Sequence, residues 1–280
     1  MSATEPLISV VMTTYSDNFD RLRRSVDSIL SQTMHDLELI VAFEPDDPNA
    51  DALVKSCIDP RLLVLKNPIR AGKAVSFNHC LAKARGRYIA RMDSDDRAYP
   101  DRFEKQLAYL SEHPDVAVLG GGVTITDEDG NAIAVRKMAP DHASIVRNFA
   151  LMNAMCHPTI LWDRDKVGAD LLYDERFSVE DLELWFRLLR LGHRFANLNA
   201  PLIEYKQTAQ WRRPMRNWHG NLRVRIVYWR LMLRYPILSV GILAFAVLAV
   251  LPKSVVDRLT RRGILTDSLR SIRPTQSPMR

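Results

Sequence analysis

Cysteine is scarce in these 280 residues: Cys57, Cys80 and Cys156 stand far apart and form no Cys-x-x-Cys pair. That argues against a zinc ribbon or a disulfide framework and fits a reducing compartment. The N-terminus, "MSATEPLISVVMTTYSD", lacks both a basic start and an apolar stretch of signal-peptide length, which argues against export. No glycine-rich loop ends in Gly-Lys-Ser/Thr, so ATP binding of the P-loop kind is excluded. A membrane-spanning run is missing as well. The most apolar segment, Ile237–Leu251, has fifteen residues without a charge between Pro236 and Pro252. A spanning helix needs about 20.

Acidic residues are nearly absent from the C-terminal quarter. Residues 1–205 carry 24 Lys+Arg against 31 Asp+Glu, whereas residues 206–280 carry 15 against 2. A mildly acidic body with a strongly basic tail points to an anionic partner for the tail. Together with the short apolar run, this predicts a helix lying in or dipping into an anionic membrane interface. A helix docked on the protein's own core or on a partner chain is the alternative. The composition as a whole, 47% hydrophobic and 26% charged, is that of a globular chain.

The first hundred residues alternate between short β-branched runs and amphipathic segments. "LISVVMTT", "LELIVAF", "RLLVLK" and "RYIARM" read as strands. Between them, "NFDRLRRSVDSILSQ", "NADALVKSC" and "GKAVSFNHCLAKARG" read as helices, and "PDRFEKQLAYLSEHP" as a fourth. This order predicts an α/β fold with a mostly parallel sheet, whose ligands bind beyond the carboxyl ends of the strands. Further on, a strand and hairpin turning at Asp129-Gly130 are expected. "HPTILW" reads as a strand, "SVEDLELWFRLLRLGHRF" begins with a helix stopped by Gly192, and "PLIEYK" is a closing strand.

At the end of "RYIARM" the sequence places three aspartates in four positions, Asp93, Asp95 and Asp96 around Ser94. Like charges this close repel unless a cation or open water compensates. Carboxylate pairs open to a ligand suit Mg²⁺ or Mn²⁺, and such a cation can neutralise a departing diphosphate. A second pair, Glu180-Asp181, stands at a helix start, where a carboxylate can serve as a base or complement the helix dipole.

Three stretches carry a resemblance. "ISVVMTTYSD…LRRSVDSILSQTMHDLELIV", "ARGRYIARMDSDDRAYPDRFEKQLAYL" and "YDERFSVEDLELWFRL" together resemble a family 2 glycosyltransferase of the GT-A fold, over residues 7–206. The resemblance implies a Rossmann-like, mostly parallel sheet flanked by helices, with a domain over residues 1–206 and a helical extension over 207–280. It implies metal-dependent, inverting transfer of a sugar from a nucleotide-diphosphate donor, a UDP-sugar first. Asp95 and Asp96 are then the leading metal ligands, and Asp93 and Ser94 touch the donor; which aspartate ligates directly stays open. Asp181 is the expected base, and Glu180 orients the acceptor.

Thr13, Thr14 and Tyr15 offer hydroxyls and a ring to the nucleoside. The second strand departs from the family pattern: "VAFEPDDP" puts Glu44 where the base-bonding aspartate is expected. Arg70 and Lys73 at the third helix could attract phosphate. His157 is a further contact candidate, though a lone histidine is as readily structural. Gln210, Arg212 and Arg213 suit a flap over the diphosphate, and surface charge explains them nearly as well. The acceptor expected is a glycan or lipid-linked chain in surface polysaccharide synthesis, with the protein at the cytoplasmic membrane face and no nucleic-acid partner. A non-catalytic nucleotide-sugar-binding scaffold is the alternative.

Overall fold

A computed structural model describes residues 5–15, 18–70, 72–127, 129–206 and 218–251, with positions 254, 255, 258 and 272–274 beyond. The first half builds the expected alternation: β1 (Ile8–Thr14), α1 (Phe19–Leu30), β2 (Leu37–Phe43), α2 (Asn49–Ser56), β3 (Leu62–Lys66), α3 (Gly72–Lys83) and β4 (Tyr88–Asp93). β1 lies between β2 and β4 with β3 outside β2, all parallel. The register matters for function. Thr13 is level with Ala42 of β2 and with Asp93 of β4, so three strand ends form one rim.

These strands are covered on both faces, which is why they read as continuous apolar runs. Their side chains divide with period two. Val10 and Met12 of β1 and Val41 and Phe43 of β2 pack with Leu22, Val26 and Ile29 of α1 in one core. Val11, Ile40 and Ala42 turn to a second core with Phe77 and Cys80 of α3. On β4, Ala90 and Met92 join the first core and Ile89 the second. Arg91 and Asp93 therefore face the second core, at the parity of Ile89.

The second half is β5 (Arg97–Ala98), α4 (Arg102–Glu112), β6 (Val116–Thr126), β7 (Ala132–Arg136), α5 (His142–Phe149), β8 (Leu161–Asp163), α6 (Arg164–Val167), α7 (Glu180–Leu191) and β9 (Arg194–Lys206). β8 runs antiparallel between β4 and β6, and β7 folds back on β6 through the expected turn, with Gly130 at φ +89°. α7 ends at Gly192, whose φ of +92° is the left-handed stop that only glycine adopts without strain. The closing strand is longer than "PLIEYK". It starts at Arg194 and follows β6 in parallel across register shifts near Gly121 and Gly122. Asn197, Asn199 and Pro201 disguise the first part of it in the sequence.

Three helices follow: α8 (Trp218–Val227), α9 (Leu231–Arg234) and α10 (Leu238–Val250), and β10 (Ile272–Pro274) pairs antiparallel with β7. Val224, Tyr228, Leu231 and Leu238 belong to the second core beside Trp185, Phe186 and Phe149. Arg225 is fully buried. Its guanidinium stands 4.1 Å from the Phe245 ring centre and donates to the Phe149 carbonyl at 2.9 Å. Gly241 permits the closest approach: a Cβ there would lie 2.1 Å from the Ala150 carbonyl oxygen. The helices after residue 206 thus share a core with the body before it. Among the described residues, no helix is long and apolar enough to cross a membrane.

Candidate active site

The rim at the ends of β1, β2 and β4 gathers most of the residues singled out above. Tyr15 is exposed, and its hydroxyl accepts from Arg70 at 3.0 Å, with the guanidinium over its ring. Glu44 is buried directly after β2. Thr13 is half-buried, Thr14 and Ser94 are buried, and Asp95 is exposed. Lys73 is exposed on the first turn of α3, and its positive charge acts on Asp93, His157 and Glu180.

The three aspartates have different surroundings. Burial would raise the Asp93 carboxyl, but Arg91, 2.8 Å away, and Lys73 hold it below the usual range. Asp96 is buried, and one oxygen accepts from the Lys206 amide at 3.2 Å. Its other oxygen has no hydrogen-bond partner among the described residues. Burial first, then Asp93 and Asp95, push Asp96 well above the ordinary carboxylate range. Asp96 therefore serves the join between the Asp cluster and the end of β9, while Asp95 is the carboxylate that meets solvent.

Across Arg91 lies the second carboxylate pair. One Asp181 oxygen accepts from the Asn153 side chain at 2.6 Å and the other from the Leu182 amide at 2.7 Å. Burial outweighs these bonds and the attraction of Arg91, so Asp181 is raised. Glu180 is raised too, by burial and then by Asp181. His157 bonds the Tyr173 hydroxyl at 2.7 Å within a nest of Phe77, Trp162 and Trp185. Burial, with Arg91 and Lys73, lowers His157 far enough to keep it neutral. Asn78 of α3 ties this wall down, bonding the Tyr173 amide at 2.8 Å and its carbonyl at 2.9 Å.

Under the rim, Arg102 is fully buried on α4 and donates to the Arg91 carbonyl at 2.9 Å; burial lowers it to about 9. Gln106, one turn on, donates to the Thr159 carbonyl at 2.9 Å. The two side chains thereby fix β4 against the segment that carries His157. On the α1 side of the Asp cluster, a cleft of about 480 Å³ is lined by Arg21, Arg24, Asp95, Asp96, Arg97 and Lys206 among others. Asp181 and Glu180 lie outside it.

Residues 9–162 match the family model described as glycosyl transferase family 2. The chain belongs to this family. The O-antigen biosynthesis glycosyltransferase WbnJ of Escherichia coli is 31% identical over 208 residues, covering 71% of this chain and 79% of that one. Among solved structures, S. aureus TarS 1-349 in complex with UDP-GlcNAc superposes with a TM-score of 0.59 at 17% identity, over 78% of this chain and 65% of that chain. The mannosyltransferase PcManGT from Pyrobaculum calidifontis, in complex with GDP-Man and Mn²⁺, gives 0.58 at 14% identity, over 92% and 79%. At these identities the two structures show the shared GT-A fold.

In this glycosyltransferase, Gln210, Arg212 and Arg213 lie outside the described residues. Three residues with clear roles in the geometry escaped the sequence reading. Arg91 was visible as a lone charge inside "YIARMD", the mark of a buried partner. Asn153 and Tyr173 gave no local signal, because each acquires its contacts from more than fifteen residues away.

The donor set at the rim is oxygen only, as a hard cation requires. No three His, Cys, Asp or Glu side chains among the described residues converge as a cage. Carboxylate oxygens open to solvent, as at Asp95, suit Mg²⁺ or Mn²⁺, which accept one or two carboxylates and complete their shell with phosphate oxygens and water.

Proposed function

We propose that this glycosyltransferase moves a sugar from a nucleotide-diphosphate donor to a hydroxyl of a surface glycan or lipid-linked acceptor, inverting the anomeric carbon. The observation that carries the reading is the position of Arg91. It is paired with Asp93 at the donor rim, and its charge is felt at Asp181 and Glu180 on the other side. One buried cation thus joins a nucleotide-binding edge to a pair of carboxylates of raised basicity.

In this reading Thr13, Tyr15, Glu44 and Arg70 receive the nucleoside, and Asp93 and Ser94 the donor beyond it. Asp95 would hold the divalent cation, which neutralises the charge of the departing diphosphate. Asp181, kept in orientation by Asn153, takes the proton of the acceptor hydroxyl. That oxygen bonds to the anomeric carbon as the carbon–diphosphate bond breaks. His157, neutral, shapes the wall beside the sugar. TarS with UDP-GlcNAc and PcManGT with GDP-Man and Mn²⁺ support a nucleotide-sugar donor and a metal, and WbnJ supports a surface polysaccharide as product. The cytoplasmic face of the cell membrane is the matching location.

Calorimetric titration of UDP, then GDP and dTDP, with and without Mn²⁺, tests the donor site. Metal-dependent binding of one nucleotide is expected, together with its loss in Asp95→Ala. Because Asp95 is exposed, that substitution leaves the fold intact, and a thermal melt checks this. Failure of all three nucleotides to bind folded wild-type protein in Mn²⁺ would overturn the reading.

A further inference from the structure

The C-terminal helices have an outward face that is exposed among the described residues. α10 contains no charged residue, and its inner side is fully used: Leu238 and Phe245 are buried and Gly241 abuts Ala150. A helix seated on a globular body normally turns polar residues outward. Here Val240, Leu243, Val247 and Val250, spaced as one helical face, are 44%, 69%, 56% and 83% exposed. Trp229, Leu233 and Ile237 before them are exposed as well.

The charged residues that α8–α10 themselves carry are all basic. Arg230 stacks by the Trp229 ring and Arg234 by the Tyr235 ring, both arginines exposed. Between Glu204 and Asp257 the sequence holds no acidic residue. Apolar side chains bordered by Trp, Tyr and exposed arginine are the components of a surface that enters the headgroup layer of an anionic bilayer.

We propose that the outward face of α8–α10 is a membrane-docking surface, with α10 lying in the plane of an anionic leaflet. The in-plane position follows from geometry. Thirteen residues of helix extend only about 20 Å, against about 30 Å of hydrocarbon, and the inner side is held to the body. Leu243 and Val247 enter the acyl boundary, while Arg230 and Arg234 meet lipid phosphates. The helix therefore docks on its own core and on lipid at once, one side for each. This surface stands independently of the sugar-transfer reading, since its evidence lies outside the rim.

Flotation of the full-length protein with vesicles tests it, without donor or acceptor. The vesicles are phosphatidylcholine alone or phosphatidylcholine mixed with phosphatidylglycerol. Wild type is expected to float with the mixed vesicles and much less with the neutral ones. Leu243→Glu/Val247→Glu should remove flotation on both. Arg230→Gln/Arg234→Gln should lower partitioning to the mixed vesicles by about tenfold or more, each arginine contributing electrostatic attraction at the surface. All substituted side chains are exposed, and unchanged thermal melts keep the comparison sound. Two outcomes would overturn the proposal. One is wild type that ignores both vesicles. The other is a self-association in gel filtration that Leu243→Glu/Val247→Glu abolishes while flotation is unaffected, which would make this face an interface between two copies.

Discussion

At the first turn of α7, burial and the proposed proton transfer act through the same carboxyl. Asp181 is raised by its desolvation, so it holds its proton at pH values where an exposed aspartate has lost it. A base must be ionised, and transfer should therefore fall on the acid side as pH drops through this raised value. The sign for stability is opposite. A carboxyl whose folded pKa lies above its unfolded one contributes stability that is present at low pH and lost as pH rises through the folded value. Asp181→Asn should thus cost about 10²–10⁴ in kcat with little change in donor KM. It should also melt close to wild type at neutral pH: the amide oxygen can still accept from Asn153, and removal of a buried charge offsets the acceptor lost to the Leu182 amide. Turnover and thermal melts on the same preparation check both. A variant that melts well below wild type would show that the ionised carboxylate is a structural requirement.

Elements differ in how openly the sequence announced them. β1, β2 and β4 were legible because burial on both faces writes a local pattern, and Asp93–Asp96 were legible because charges at a strand end break it. α5 and the segment to Asn153 were not. The end of α5, three residues before Asn153, is clamped from outside by Arg225 on the Phe149 carbonyl and Gly241 against Ala150. Such contacts join distant stretches and leave no periodicity. The different surroundings within the Asp cluster were likewise invisible: Asp96 bonds the amide of Lys206, 110 positions along. The clamp makes a prediction at this scale. Gly241→Ala forces α10 off α5 and should cost about 1–3 kcal/mol as a lower melting temperature, the price of overpacking. A fall in kcat should accompany it, because the segment orienting Asp181 shifts. Ser239→Ala, on the exposed side of the same helix, should change neither.

At the scale of the whole molecule, the body before residue 206 and the helices after it are packed as one. The helices after it share the second core, and Tyr228 donates to the buried Glu183 of α7 at 2.5 Å beside the Arg187 ion pair. A chain ending at Lys206 would bare Phe149 and Phe186 and leave Glu183 with one partner fewer. It is expected to aggregate on expression, or to melt far below the full chain in a thermal scan. A soluble fragment melting at the full-length temperature would show that the core closes without α8–α10.

The pairing of Tyr228 and Arg225 with α7 and α5 also bears on how such enzymes diversify. An ending inherited from another glycosyltransferase would arrive without the matching sockets around Glu183, Phe186 and Ala150. Such an ending cannot be exchanged as a cassette: its inner surface and the α7 and α5 positions it packs on must change together, in one lineage.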